Sequence, residues 1–486
     1  MLKVKMLRHS RPLRSFAMLS TCLMIGIILQ SCTPQNAGQP PVVSATVPAA
    51  TPTPAPTVTP ESKKPDTPPV EALAATRPIE AKPEPKPEPL VVPPQPEPVV
   101  EIQAPASVAL LVPLSGRAAA IGGALRNAAE MALFDLADEK FILTVHDTGS
   151  TTDGAISAAT EALDGGAKLI IGPLFRDAAT AIRPIAAQAQ VPVLTFSNDA
   201  KVAGDGVWTF GLLPGQQVDR VVRFASERAL LRFASFYPDS EYGQSTATAL
   251  QVSATELGGQ VTRLQSYRMD DDLQELVKDF ADYNLRKLTL QNQRNELSQQ
   301  GGAFAQRALN KLKGRETAGP FAYDAVLLPE GGTAVRNLAP MMAYYDIDPR
   351  EVRYLGTALW LDPTLGREPT LVGGWFAAPD PAAGQDFRVR YQEIYGSAPP
   401  TLASLGYDAM ALAAVLARQE TDEPYSADWL TQTSGFAGTD GLFRLLPDGR
   451  NERGLAVIEL TEQGYKIVDP GPTSFPTPPE QPALTN

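Results

Sequence analysis

The chain has 486 residues, 43% of them hydrophobic, with 46 prolines, two cysteines, two histidines and a net charge of −12. Phosphate backbones and anionic lipid repel so acidic a chain, and it carries no aromatic-rich basic patch; nucleic acid is therefore excluded as a partner, and a basic surface as the means of membrane attachment. No G-x-S-x-G elbow, phosphate loop or H-E-x-x-H segment occurs, so no catalytic residue, metal site or cofactor is expected.

The first element is a leader. Lys3, Lys5, Arg8, Arg11 and Arg14 precede a fourteen-residue apolar run from Phe16 to Leu29, too short for a membrane span of roughly 20 residues. The run closes on Leu29-Gln30-Ser31-Cys32, which resembles a bacterial lipobox. Residues 1–31 are thus expected to be a lipoprotein signal peptide, with Cys32 the lipidated first residue of the mature chain. Five basic residues and no acid leave with the leader, so the mature charge becomes −17. Cys32 and His146 remain as the only cysteine and histidine, which excludes a disulfide. Thr33 is not the Asp that retains lipoproteins in the inner membrane. The expected place is the periplasmic face of the outer membrane, the alternative the outer leaflet of the inner membrane.

Residues 33–104 contain twenty prolines and no aromatic residue. Such a segment cannot bury enough apolar surface to fold, so 32–104 reads as a disordered linker of polyproline character. At about 3.1 Å per residue it would reach roughly 220 Å when extended. The proline-rich tail 470–486 reads as disordered too.

Between these ends strand and helix alternate. Strands are expected at Ser107–Val112, from Phe141, at Lys168–Ile171 and at Val191–Phe196, with helices near 126–138, 155–163 and 178–189. Further strands follow at Phe233–Tyr237, Val261–Leu264 and Ala325–Leu328. This spacing argues α/β architecture with parallel sheets covered on both faces. His146 ends a strand and reads as an imidazole bonded to a neighbour rather than as a general base.

The loops after the strands carry a family resemblance. Val112-Pro-Leu-Ser-Gly-Arg with Ile121-Gly122, Asp147-Thr148, Ile171-Gly-Pro-Leu, Val191-Pro-Val, Tyr242-Gly243 and Leu405-Gly-Tyr-Asp-Ala-Met resemble type I periplasmic binding proteins of the Leu/Ile/Val-binding branch, over residues 105–469. The resemblance implies two Rossmann-like lobes joined by a three-segment hinge. Lobe 1 would take about 106–212 and 375–420, and lobe 2 about 213–374 and 421–469. It also implies a cleft that closes on an amino acid, with Ser115, Arg176, Ser197, Asn198, Tyr242 and Glu330 as its candidate lining. The chain departs from the family pattern at Phe175-Arg176 and Ser197-Asn198-Asp199. Arg176 could clamp a carboxylate or phosphate, or pair with Asp177 or Asp199.

A closer resemblance, carried by Ile171-Gly-Pro-Leu and Thr439-Asp-Gly-Leu-Phe-Arg-Leu-Leu-Pro-Asp-Gly-Arg450, is to the binding-protein-fold lipoproteins that activate penicillin-binding proteins. It implies a non-enzymatic regulator of peptidoglycan synthesis whose partner is a penicillin-binding protein. The alternative is a solute receptor handing an amino-acid-like ligand to an ABC importer permease. Residues 270–315 read as an inserted helical hairpin, with Leu273, Leu276, Val277, Phe280, Asn284 and Leu288 at helical spacing before Gly301-Gly302, and Phe304, Ala308 and Leu312 after it. That hairpin packs on its own sheet or offers a docking face.

Overall fold

The computed structural model describes residues 107–139 and 141–476. Cys32, the leader and the proline-rich stretch lie outside the described residues. The first lobe opens with β1 (Ser107–Val112), α1 (Ala119–Leu136), β2 (Ile142–Asp147), α2 (Thr152–Asp164), β3 (Leu169–Ile171), α3 (Arg176–Gln188), β4 (Val193–Thr195) and β5 (Val207–Thr209). The five strands form one parallel sheet in the order β2-β1-β3-β4-β5. β1, β3 and β4 are buried apolar runs, as strands covered on both faces must be. Thr151 caps α2 by accepting the Gly154 N–H at 3.0 Å.

The second lobe begins with α4 (Pro214–Ser226), β6 (Arg232–Pro238), α5 (Glu241–Glu256) and β7 (Gln260–Tyr267). Three helices follow, α6 (Leu273–Phe280), α7 (Tyr283–Gln300) and α8 (Gly302–Lys311), then β8 (Ala325–Leu327), α9 (Gly332–Tyr344), β9 (Arg353–Gly356) and β10 (Trp375–Ala378). The chain next builds α10 (Gln385–Tyr395), α11 (Ala403–Leu416), α12 (Ala427–Leu430), β11 (Phe436–Gly438), β12 (Gly441–Leu445) and β13 (Asn451–Arg453), and ends with β14 (Ala456–Thr461) and β15 (Gly464–Asp469). The second sheet runs β15-β14-β10-β9-β8-β6-β7, parallel except for β14, which is antiparallel to both of its neighbours, β10 and β15. β11, β12 and β13 form a small antiparallel sheet of their own.

Sheet membership corrects the expected lobe boundaries. β10 at 375–378 belongs to the second sheet, not the first lobe, and the chain returns only with α10. Residues 421–453 stay with the first lobe, because Tyr425, Leu430, Phe443 and Leu445 pack into the same core as Val108, Leu110 and Leu125. The three crossings therefore fall near 210–214, 378–385 and 453–456.

The tail is also corrected. Residues 470–476 are ordered against the protein: Phe475 is buried, and the Arg444 guanidinium lies 4.5 Å from its ring centre. The helical insertion does not run as one face either. Asp282, at φ 48°, breaks the chain between α6 and α7, so Val277 and Phe280 enter the core while Leu288 on the redirected helix is exposed. No helix among the described residues is long and apolar enough to cross a membrane.

Candidate functional site

In parallel sheets, sites form beyond the carboxyl ends of the strands where the order reverses. These points lie between β1 and β3 in the first lobe and between β6 and β8 in the second. Four of the six sequence-derived candidates sit on loops or helix starts at these points: Ser115 after β1, Arg176 after β3, Tyr242 after β6 and Glu330 after β8. Ser197 and Asn198 follow β4.

Two glycines let the helices approach. A Cβ on Gly122 would overlap the Pro113 carbonyl, and one on Gly243 the Pro238 carbonyl. Each lobe therefore seats the first helix after its leading strand directly on that strand's end. Ser240 then caps α5 by accepting the Gly243 N–H at 3.1 Å, which fixes Tyr242 in the first turn.

Each polar candidate except Asn198 already has an internal partner. Asp147 Oδ1 accepts N–H bonds from Leu114 at 2.7 Å, Ser115 at 3.2 Å and Gly149 at 2.8 Å, and the Ser115 carbonyl accepts from Ser150 Oγ at 2.7 Å. Burial works to raise the Asp147 pKa, but these bonds and one from the Ser115 hydroxyl outweigh it and hold the carboxyl below its ordinary range. Ser197 is buried and its hydroxyl accepts the Asp199 N–H at 3.2 Å. Tyr242 donates its hydroxyl to Thr357 Oγ1 at 2.8 Å. Burial, with a smaller contribution from the nearby Glu330 charge, pushes the phenol up to about 12, so it remains a neutral donor. Glu330 Oε1 accepts the Tyr267 hydroxyl at 2.6 Å, and its carbonyl accepts Trp360 Nε1 at 2.9 Å. His146, as expected, bonds a neighbour, with Nε2 3.1 Å from Thr144 Oγ1.

A cavity of ≈ 1220 Å³ brings Arg176, Asn198 and Tyr242 together, between the start of α3, the outer faces of α4 and α5, β13 and the segment 470–475. Ser115, Ser197 and Glu330 are not part of its lining. Arg176 reaches Asp177 Oδ1 at 3.0 Å, Asp199 Oδ2 at 3.5 Å and, across the lobes, Glu241 Oε1. The Glu241 bond leads the effects that raise its pKa above the ordinary arginine value. Glu241 was legible only as the neighbour of Tyr242.

The inner end of the cavity is the hinge. Gln216 on α4 accepts the Arg453 N–H at 3.2 Å and donates to Asn451, whose Nδ2 bonds the Gly211 carbonyl at 2.7 Å. Arg453 Nη2 bonds the Phe210 carbonyl at 2.9 Å, and its guanidinium lies 5.1 Å and 5.3 Å from the rings of Phe210 and Phe443. Burial lowers its pKa. Nearby, Asp408 on α11 is buried and accepts the Thr439 N–H at 2.7 Å. Burial lifts its carboxyl to about 6, with the Arg453 charge pulling the other way. Sequence reasoning missed this pair because its members stand on different elements far apart in the chain.

A family model described as "Periplasmic binding protein" matches residues 105–465. An uncharacterised protein of Rickettsia prowazekii is 23% identical over 165 residues, 34% of this chain and 44% of that protein. A penicillin-binding protein activator, LpoA, of Mannheimia succiniciproducens is 29% identical over 190 residues, 38% of this chain and 31% of that protein. These matches span less than half the length of either relative. Among solved structures, the branched-chain amino acid transporter substrate-binding protein LivJ of Streptococcus pneumoniae, in complex with isoleucine, aligns with TM-score 0.51 and 18% identity, covering 75% of this chain and 100% of that one.

Proposed function

The chain belongs to the periplasmic binding protein family, and from that premise we propose that it is a non-enzymatic lipoprotein that regulates peptidoglycan synthesis by activating a penicillin-binding protein. The observation that carries this reading is the internal engagement of the candidate cleft. A zwitterion needs donors for its carboxylate and an acid for its ammonium. Ser115 and Ser197 are tied into their own loops, Tyr242 is committed to Thr357, and Glu330 is committed to Tyr267. Ser197 and the Thr357 partner of Tyr242 are buried, so displacing their bonds would leave a polar group unpaired, at about 1–3 kcal/mol each. The partial likeness to a penicillin-binding protein activator points the same way.

The cavity favours a second reading, a solute receptor for an ABC importer. It is large enough for a small ligand, and Arg176 could bind an anionic group within it. One pair of measurements separates the two. The full-length lipoprotein is titrated calorimetrically with amino acids, small peptides and muropeptides, and is added at saturation to a purified peptidoglycan synthase. Faster synthesis with no heat from any ligand is the outcome expected; an unchanged synthase together with a tight amino-acid isotherm would replace the regulator with the receptor.

A further inference from the structure

Helices α7 and α8 form a hairpin whose charge opposes that of the rest of the molecule. From Tyr283 to Arg315 there are seven Lys or Arg and one acid, Glu296, in a chain whose net charge is −12. Two of the seven cations hold the hairpin in place. The Arg286 guanidinium lies 3.7 Å from the Phe321 ring centre, and Arg294 Nη2 bonds the carbonyls of Leu312 at 2.8 Å and Arg315 at 2.9 Å, stapling the two helices together. The other five, Lys287, Arg307, Lys311, Lys313 and Arg315, are exposed, and none has a carboxylate partner among the described residues.

Apolar side chains stand among these cations. Leu285 is 64% exposed, Leu288 52% and Phe304 79%. Phe304, Arg307 and Lys311 are spaced by three and four residues, so they share one face of α8. Only Tyr283 and Leu290 of α7, and Ala305 of α8, are buried. The outer surface is therefore not needed to hold the hairpin on its lobe.

We infer that the exposed face of the α7–α8 hairpin is a docking surface for an acidic face on a protein partner. This rests on the regulator reading, in which the partner is a penicillin-binding protein. Exposed Phe304, Leu285 and Leu288 with cations around them combine apolar side chains with a charged rim, the layout of a protein contact. A bilayer contact would need a continuous apolar face, whereas three apolar side chains here are spread over two helices and separated by polar residues. The net acidity of the chain also opposes an anionic membrane. The five cations without a carboxylate partner raise the encounter rate with an acidic surface and make binding fall with salt.

The test uses the full-length lipoprotein against the immobilised ectodomain of each penicillin-binding protein of the source bacterium in turn. The variants are Arg307→Glu combined with Lys311→Glu, Phe304→Ser, and Arg307→Lys as the charge-preserving control. The parent is also run against phosphatidylglycerol vesicles and against itself. Affinity for one synthase should weaken about tenfold or more in the double charge reversal, weaken in Phe304→Ser, and survive in Arg307→Lys. The substituted side chains are exposed, so matching thermal melts show that the fold is intact. A charge-reversed variant that binds and activates like the parent overturns the docking surface and leaves the regulator reading standing. A parent that binds no synthase overturns both. Charge-dependent binding to vesicles or to a second copy, with synthase binding unaffected by the variants, replaces the inferred partner with that one.

Discussion

Arg176, at the start of α3 in the first lobe, donates Nη1–H to Glu241 Oε1, in the first turn of α5 in the second lobe. Asp177 and Asp199 hold the same guanidinium from the first lobe's side. One side chain thus spans the gap that any hinge motion would open.

Removing that span should loosen the hinge without weakening either lobe. Arg176→Ala is expected to broaden the distance distribution between nitroxide labels on α2 and α5, while the melting temperature changes little because Glu241 is exposed and Arg176 partly so. Raising the salt of the parent to about 1 M, where the screening length is roughly 3 Å, should broaden it too. Identical distributions for variant and parent would show that the lobes are held by other contacts.

Asp408 should give the protein an acid-favoured component of stability. Its carboxyl titrates at about 6 in the folded protein against an ordinary value of 3.8, so between these pH values the native state holds a proton that the unfolded state has released. Stability from this group is full below about pH 4 and is lost as the pH rises through 6. Asp408→Asn cannot lose it. Chemical denaturation at pH 4 and pH 7 should therefore show the difference between variant and parent shifting by about 2–3 kcal/mol in the variant's favour. A difference that stays constant would mean that Asp408 remains charged throughout.

Gly243→Ala should strain the second lobe. The added Cβ meets the Pro238 carbonyl, which is backbone and cannot turn aside. A cost of about 1–3 kcal/mol is expected, read as a lower denaturation midpoint. The Tyr242 hydroxyl should also separate from Thr357, whose bond holds the phenol's ionisation down, so that ionisation should shift upward.

Cys32→Ser should release the protein from the membrane fraction, and deleting half of residues 33–104 should abolish synthase activation in cells while sparing it with purified components. A shortened chain that still activates in cells would argue against the proposed anchorage in the outer membrane, because about 36 residues at roughly 3.1 Å each could reach no further than roughly 110 Å.

How far the sequence revealed the fold depended on the length and apolarity of each element. Val108 to Val112 is an unbroken apolar run and was legible as a buried strand. β5, with only Val207-Trp208-Thr209 between glycine-rich turns, was not. β13 is Asn451-Glu452-Arg453, a strand by its pairing with β12 and not by its composition. The same limit governed the site. Arg176 and Tyr242 were legible because they stand in recognisable loops, and the alternatives for Arg176 included the pairing with Asp177 and Asp199 that it makes. Its bond to Glu241 lies 65 residues away across two lobes, beyond any local pattern. The insertion failed differently. Helical spacing carried Leu288 onto the face of Phe280, but the left-handed turn at Asp282 restarts the helix in another direction.

α1 packs along α11, so closely that a Cβ on Gly406 would overlap the Leu125 carbonyl. The first lobe's earliest helix thus waits for a segment made almost at the end of the chain. A polypeptide emerging N-terminus first cannot finish one lobe before starting the other; both close in the same late stage. No stop codon placed between them would leave a whole lobe behind, so fragments cut at a lobe boundary are poor reagents, and truncated products should be degraded rather than persist as half-molecules.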